Sequence, residues 1–394
     1  MISQKLFTSS SFSISKASFA TSKNVVSTTT ETSKNATTKL PSKSGTNILL
    51  IHAGQPRTPF YTREYLTKLW GNYKIPKFCR QPIADAYWNS SKLLKKCVTD
   101  CEKYPILNEV IDGFSLSIER SLASITPEFR PVKCRSAYLF DTPTIEESIE
   151  NIIQEGTDNL IILSLYPFEV NHLTKPMLST VEKVLQKRTK SFGNDASSLI
   201  RVAQNSHVSF HHTTLSNIAT NESIIQYWAE RIRSNLDGYD SVIFTSSLPL
   251  SNRRKFTSSF CETAKRVMYV LYDSYPKAIP WRISYHSSWE QFWPPLTQNT
   301  LQNQVKNLRK NGRNKTLVIP FSELFQNFDT ETILPALIST QKDVHLLSPE
   351  INDKALIHSI TEVLKNSLLQ KIAAKEFNVS LKAAAAGSSN KILV

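Results

Sequence analysis

Ser136-Ala137-Tyr138-Leu139-Phe140, then Pro143-Thr144-Ile145-Glu146-Glu147-Ser148-Ile149-Glu150-Asn151-Ile152-Ile153-Gln154-Glu155-Gly156, then Leu160-Ile161-Ile162-Leu163-Ser164-Leu165-Tyr166-Pro167 follow one another along the chain. The outer runs are short and apolar, the pattern of strands covered on both faces. Between them, Thr144 with Glu147 three positions on is a capping box, and Ile145, Ile149, Ile152 and Ile153 share one helical face. Gly156 is the stop. Strand, helix, strand at these lengths is a right-handed βαβ unit, which requires a parallel sheet.

The alternation continues in both directions. Asn47-Ile48-Leu49-Leu50-Ile51-His52 is a strand that turns at Gly54 and Pro56. Segment 60 to 94 is helical and aromatic, with Tyr61, Tyr65, Trp70, Tyr73, Phe78, Tyr87 and Trp88 available to line a pocket or to pack. Leu173 to Lys190 is a basic helix, and Gly193-Asn194-Asp195 marks a lobe boundary. Strands are expected over Ile200–Val208 and Val242–Phe244. Helices are expected over Ile224–Leu236, Phe256–Tyr269, Gln302–Lys310 and Asp353–Ala374. Two doubly wound, Rossmann-like α/β lobes with parallel sheets facing a cleft account for the repeat. The expected organisation is a linker over 1–46, an N-terminal lobe over 47–190, a C-terminal lobe over 191–347, and a helix with a frayed tail over 348–394.

Composition narrows the function classes. The 394 residues are 40% hydrophobic and 20% charged, enough for a sizeable core, and no apolar run is long enough for a transmembrane helix. The net charge of +14 is spread without a block of like charges, so nucleic acid is not an expected partner. An anionic membrane surface or a ligand bearing carboxylates suits it. Five cysteines, an odd number widely spaced, indicate a reducing compartment. Cys97 and Cys101 share a helix face, but two thiols do not close a zinc site. His207 and His211 have the spacing of zinc ligands yet lack a third; no metal site is expected. Residues 1–46 hold 21 Ser and Thr, six Lys, no Arg and one acid, Glu31. That is the composition of a mitochondrial presequence with a linker, or of a plain polar tail.

Several stretches resemble the ferrochelatases, enzymes that insert ferrous iron into protoporphyrin IX. Ile243-Phe244-Thr245-Ser246-Ser247-Leu248-Pro249 is similar to the family's Phe-Ser-Ala-His-Ser-Leu-Pro, with Ser246 in the place of the histidine. His52-Ala53-Gly54-Gln55-Pro56 is similar to Leu-x-x-Gly-Gly-Pro beside the porphyrin, with Gln55 replacing the second glycine. Tyr166-Pro167 matches the start of Tyr-Pro-Gln-Tyr-Ser, and Gly312 to Pro320 matches Gly-Arg-Lys-Asn-Ile-Leu-Leu-Val-Pro. Arg282 and Ser287 match the family's Arg-Leu-x-Trp-Gln-Ser-Lys, with His286 replacing Gln.

The resemblance implies a porphyrin- or heme-binding cleft lined by Gly54, Pro56, Tyr166, Pro167, Ser247, His286 and Ser287. The family's His-Ile-Glu-Thr-Leu-Tyr-Glu run, a ladder of carboxylates, is similar to Asp329-Thr330-Glu331-Thr332-Ile333-Leu334-Pro335-Ala336-Leu337-Ile338-Ser339. Glu331 then keeps the first carboxylate, Asp329 stands for the histidine, and Pro335 and Ser339 break the ladder. Asp329 and Glu331 also suit simple helix capping. Metal insertion needs a base near neutrality to take pyrrole N–H protons, and Ser246 is not one.

The resemblance therefore implies a mitochondrial-matrix protein of heme biosynthesis that binds protoporphyrin or heme and inserts iron weakly or not at all. An active enzyme using His52 or His286 as substitute base, and a non-catalytic partner-binding scaffold, are the alternatives. No tightly bound cofactor is expected. Because no cysteine follows Cys261, neither is the carboxyl-terminal iron–sulfur cluster of many animal members. The inner mitochondrial membrane and a second copy of the chain complete the expected partners.

Overall fold

The computed structural model describes residues 45–73, 75–90, 106–125, 132–157, 159–194, 211–248, 253–275, 277–286 and 299–370. In chain order the elements are β1 (Thr46–His52), α1 (Thr62–Asn72), α2 (Lys77–Ser90), α3 (Leu107–Ile125), β2 (Val132–Tyr138), α4 (Ile145–Gln154), β3 (Asn159–Ser164), α5 (Thr174–Asn194), β4 (His211–Leu215) and α6 (Glu222–Asn235). Then come β5 (Ser241–Ser247), α7 (Arg253–Ser274), β6 (Trp281–His286), α8 (Leu301–Lys310), β7 (Thr316–Pro320), a π-helical turn (Asp329–Ile333), α9 (Leu334–Ile338) and β8 (Val344–Leu346). A final helix, α10, runs over 354–370.

The strands form two four-stranded sheets of order β2-β1-β3-β4 and β6-β5-β7-β8. All pairings between the strands are parallel. The same winding is thus used twice, with β1 and β5 at equivalent inner positions. Because side chains alternate across a strand, β1 sends Ile48 and Leu50 to one core and Leu49 and Ile51 to another. In β5, Val242 and Phe244 join the first core while Ile243 faces α8 and α9. The first core takes residues from both sheets, from α3, α6, α7 and from α10. Phe321, just past β7, sits within it against Phe168, Trp228, Phe244 and Phe260, with ring centroids 5.4, 5.4, 4.9 and 5.4 Å away.

The βαβ unit forms as its residues dictate. The Thr144 side chain accepts from the Glu147 N–H and the Glu147 carboxylate accepts from the Thr144 N–H, closing the capping box. Gly156 leaves the helix at φ 76°, a conformation that costs a residue without Cβ little. Pro335 falls in the first turn of α9, and the helix is confined to five residues after the π-helical turn.

One expectation changes, the lobe boundary. β4 pairs with β3, so the first sheet ends at Leu215 and the boundary expected at 190/191 moves beyond it. Parallel pairing demands a crossover from one sheet edge, and the chain returns to the first sheet once more before it enters the second. The strand expected over 200–208 lies outside the described residues, as do His207, Cys97, Cys101, segment 1–44 and the tail beyond 370. His211 and His212 open strand β4, and His207, the other member of the spaced pair, is not described. Among the described residues no group of three or more His, Cys, Asp or Glu is placed to hold a metal ion, and no helix is long and apolar enough to cross a membrane.

The last helix is tied down by a buried ion pair. Arg231 of α6 reaches Asp353 at 2.7 Å and donates to the Ser348 carbonyl at 2.7 Å. Asp353 also accepts from the Tyr227 hydroxyl and caps α10 through the Ala355 and Leu356 N–H groups. Leu356, Ile360, Leu364 and Leu368 then enter the first core at helical spacing.

Candidate functional site

In open parallel sheets the chain leaves neighbouring strands in opposite directions at the switch point, and a crevice opens at the strand carboxyl ends. Here the carboxyl ends of β1, β3, β5, β6 and β7 border one cavity of about 190 Å³. Helix α1 covers it with Tyr65, Leu66, Leu69 and Trp70, joined by Tyr73 just past the helix end. Four of the aromatic-rich segment's side chains are therefore placed unlike one another: Tyr65, Trp70 and Tyr73 line the cavity, while Phe78 is exposed.

Of the residues expected at the site, Gly54, Pro56, Tyr166, Ser246, Ser247, His286 and Asp329 line this cavity. Gly54 has φ 74°, and a Cβ there would come within 3.2 Å of the Tyr138 ring. Its N–H donates to His52 Nδ1 at 3.0 Å. Pro167 is not among the lining residues; its carbonyl accepts from the Ala219 N–H, so it anchors the loop after β3. Ser287 lies outside the described residues.

The carboxylates sort in a way the aligned motif did not indicate. Asp329 faces the cavity, and Glu331, expected to hold the first carboxylate, is exposed and absent from its wall. Capping at this turn falls to other residues, since the Asn327 side chain accepts from the Thr330 N–H and the Thr330 hydroxyl accepts from the Asn327 N–H. Asp329 is thereby free to accept from the Ser247 hydroxyl at 2.6 Å and to approach His286 Nε2 at 3.9 Å. Burial works against its charge, but the hydrogen bond and charge of His286 and the Ser247 hydroxyl together hold its carboxyl below the usual value.

Two titratable residues enter the site unannounced by any motif. Glu323, three residues past β7, is buried, and desolvation with the nearby Asp329 charge pushes its carboxyl up to about 8. Asn327 Nδ2 donates to it at 2.5 Å and the Ser322 hydroxyl at 3.2 Å. The available signal was its place just after the carboxyl end of a parallel strand. His172 stacks on Tyr73 at 4.2 Å, bonds its hydroxyl at 2.8 Å, and is lowered to about 4 by burial. Its only signal was proximity to Tyr166.

The three imidazoles of the cavity differ in what they can do. His52 is fully enclosed, stacked on Tyr166 at 4.4 Å, and lowered by burial to about 3. At neutral pH neither it nor His172 has much drive to take a proton. His286 bonds the Thr245 hydroxyl through Nδ1 at 2.9 Å and turns Nε2 toward Ser247 at 3.5 Å. This is no nucleophile triad: Asp329 takes the Ser247 hydroxyl itself and approaches the same imidazole nitrogen that serine faces. Ser246, at 1% exposure, donates its hydroxyl to the Ser247 carbonyl at 3.1 Å.

Two doubly wound parallel sheets, with a cavity lined by titratable residues at their strand ends, define an α/β protein of Rossmann-like class. A sequence-family model described as Ferrochelatase matches residues 45–333. The chain belongs to the ferrochelatase family, whose members are tetrapyrrole metal chelatases. No curated protein sequence matches it.

Among solved structures, it resembles SirB from Bacillus subtilis with Fe3+ at 13% identity and a TM-score of 0.44, over 82% of this chain and 94% of that one. It also resembles CbiX, the terminal enzyme for biosynthesis of siroheme in denitrifying bacteria, at 11% and 0.40, over 82% and 98%. The sirohydrochlorin chelatase SirB from Bacillus subtilis subspecies spizizenii in complex with cobalt follows at 11% and 0.38, over 80% and 92%. The family assignment rests on the sequence-family match.

Proposed function

We propose that the protein binds a tetrapyrrole, protoporphyrin or heme, in the cavity at the strand ends and inserts metal slowly or not at all. One observation carries the reading: where the family's base is expected, Ser246 offers a hydroxyl already given to a backbone carbonyl. Deprotonating two pyrrole N–H groups needs an acceptor with a pKa near the working pH, and loss of such a base costs about 10²- to 10⁴-fold. His52 at about 3 and His172 at about 4 are poor replacements.

The cavity also needs to open. At about 190 Å³ it falls below the roughly 300–1,000 Å³ of ordinary small-molecule sites. The cover is suited to moving, because among the described residues the core beneath α1 has Leu66, Trp70 and Ala84 as its buried members. Tyr65, Trp70, Tyr73 and Tyr166 would then face an aromatic ring system, and Asp329 a cation entering it.

A second reading is favoured by one contact. His286 turns Nε2 toward the cavity side of Ser247 and Asp329, where an imidazole paired with a carboxylate is a serviceable base, and the protein would then be an active chelatase. Titration of protoporphyrin IX into purified protein, read by its absorption band, followed by ferrous or zinc insertion, separates the two. Slow insertion raised about 10²-fold or more by Ser246→His supports the first reading. Ordinary insertion rates that collapse in His286→Ala and Asp329→Asn support the second, and no binding at micromolar protein leaves the scaffold.

The same proposal places the protein in the mitochondrial matrix, delivered by segment 1–46. Its membrane contact would be the exposed Phe60 (85%) and Phe78 (81%), the latter next to Lys77. Failure to co-sediment with cardiolipin-containing vesicles removes that contact.

A further inference from the structure

The loop after β1 places a side chain where its family relatives are expected to have bare backbone, and that side chain spans the two halves of the site. The Gln55 N–H donates to Asn108 Oδ1 at 3.1 Å, and Asn108 Nδ2 donates to the Gln55 carbonyl at 2.8 Å. This two-point clasp fixes the peptide against α3. Arg57 pins the same loop through Asp141 at 2.8 Å and Glu109 at 3.2 Å.

From that fixed base the Gln55 side chain, 5% exposed, reaches across the cleft, and its Oε1 accepts from the Phe328 N–H at 3.3 Å. Phe328 follows the capping Asn327, so its N–H is one of the first-turn donors that no intrahelical carbonyl can satisfy. In the closed arrangement Gln55 satisfies that donor. Phe328 also packs on the Leu66–Trp70 cluster under α1 and precedes Asp329. One hydrogen bond therefore joins the β1 loop, the cover helix and the turn that presents the acid.

We infer that Gln55 is a latch that holds the cavity shut and limits entry of a flat macrocycle, an inference that rests on the proposed tetrapyrrole site. A ligand that binds only the open state sees an affinity reduced by the open fraction. Removing a neutral hydrogen bond should raise that fraction, and the apparent affinity, about threefold to tenfold.

The experiment has two arms on the full chain. In the first, amide hydrogen exchange without ligand compares wild type, Gln55→Ala and Gln55→Met, the last keeping the side chain's length without an acceptor for Phe328. Faster exchange over 62–73 and 326–330 in both variants, with unchanged far-UV circular dichroism, is expected. Unchanged exchange in Gln55→Ala overturns the latch. In the second arm, protoporphyrin IX is titrated into each protein, and Gln55→Ala should bind about threefold to tenfold more tightly. Equal affinity with faster exchange overturns the role in ligand entry. Absence of binding to all three with faster exchange in Gln55→Ala overturns the tetrapyrrole reading and entry role while leaving the closure device established.

Discussion

Replacing Glu323 by glutamine should change how the protein's stability depends on pH, with a sign fixed by the direction of the carboxyl's shift. Its value is raised from 4.5 to about 8 by burial and by the Asp329 charge. Between these values the folded state holds a proton that the unfolded chain has already lost. Stability is therefore fully present below about pH 4.5 and is lost as pH rises through about 8. Such a shift corresponds to about 5 kcal/mol at full development, falling at about 1.4 kcal/mol per pH unit.

Glutamine carries no proton to lose, so Glu323→Gln lacks this decline. It does surrender one of the hydrogen bonds from Ser322 and Asn327, an offset of about 1 kcal/mol independent of pH. The assay is urea unfolding of both proteins at intervals from pH 5 to 9. The variant should start about as stable as wild type and end more stable by several kcal/mol, the curves crossing near pH 5. Contributions from His52 and His172 are shared and cancel in the difference. Curves that stay parallel across the range would refute the placement of a protonated acid in the cavity.

His52 gives the opposite slope. Lowered by burial to about 3, it stabilises the fold above about pH 6.5 and loses that contribution as pH falls; His52→Asn, whose amide oxygen can still accept from Gly54, should lose about 3 kcal/mol less than wild type by pH 4 in acid unfolding. Arg231→Met should destabilise by about 3–5 kcal/mol because it strands the buried Asp353 carboxylate. Adding Asp353→Asn, which keeps the cap of α10 without the charge, should recover most of that loss in chemical denaturation.

Local codes determined the architecture. Alternating burial in β1, the capping box at Thr144, the stop at Gly156 and the repeated strand–helix order are all properties of neighbours in sequence, so the two parallel sheets were legible before any contact was known. The boundary was not, because whether β4 returns to the first sheet depends on its pairing with β3. The site divided along the same line. Gly54, Tyr166, Ser247 and His286, expected from the family resemblance, lie at or just past strand ends and line the cavity.

Which carboxylate served the cavity was decided only in three dimensions. Asp329 meets Ser247 across 82 residues, and Gln55 meets Phe328 across 273, distances over which periodicity carries no information. The π-helical turn sets Asp329 and Glu331 on different sides of the wall, and Asn327 takes over the capping that either acid could have supplied. The raised pKa of Glu323 and the lowered ones of His52 and His172 belong to burial. A residue's charge state is fixed by the water removed around it, and that is a property of the packed molecule rather than of its letters.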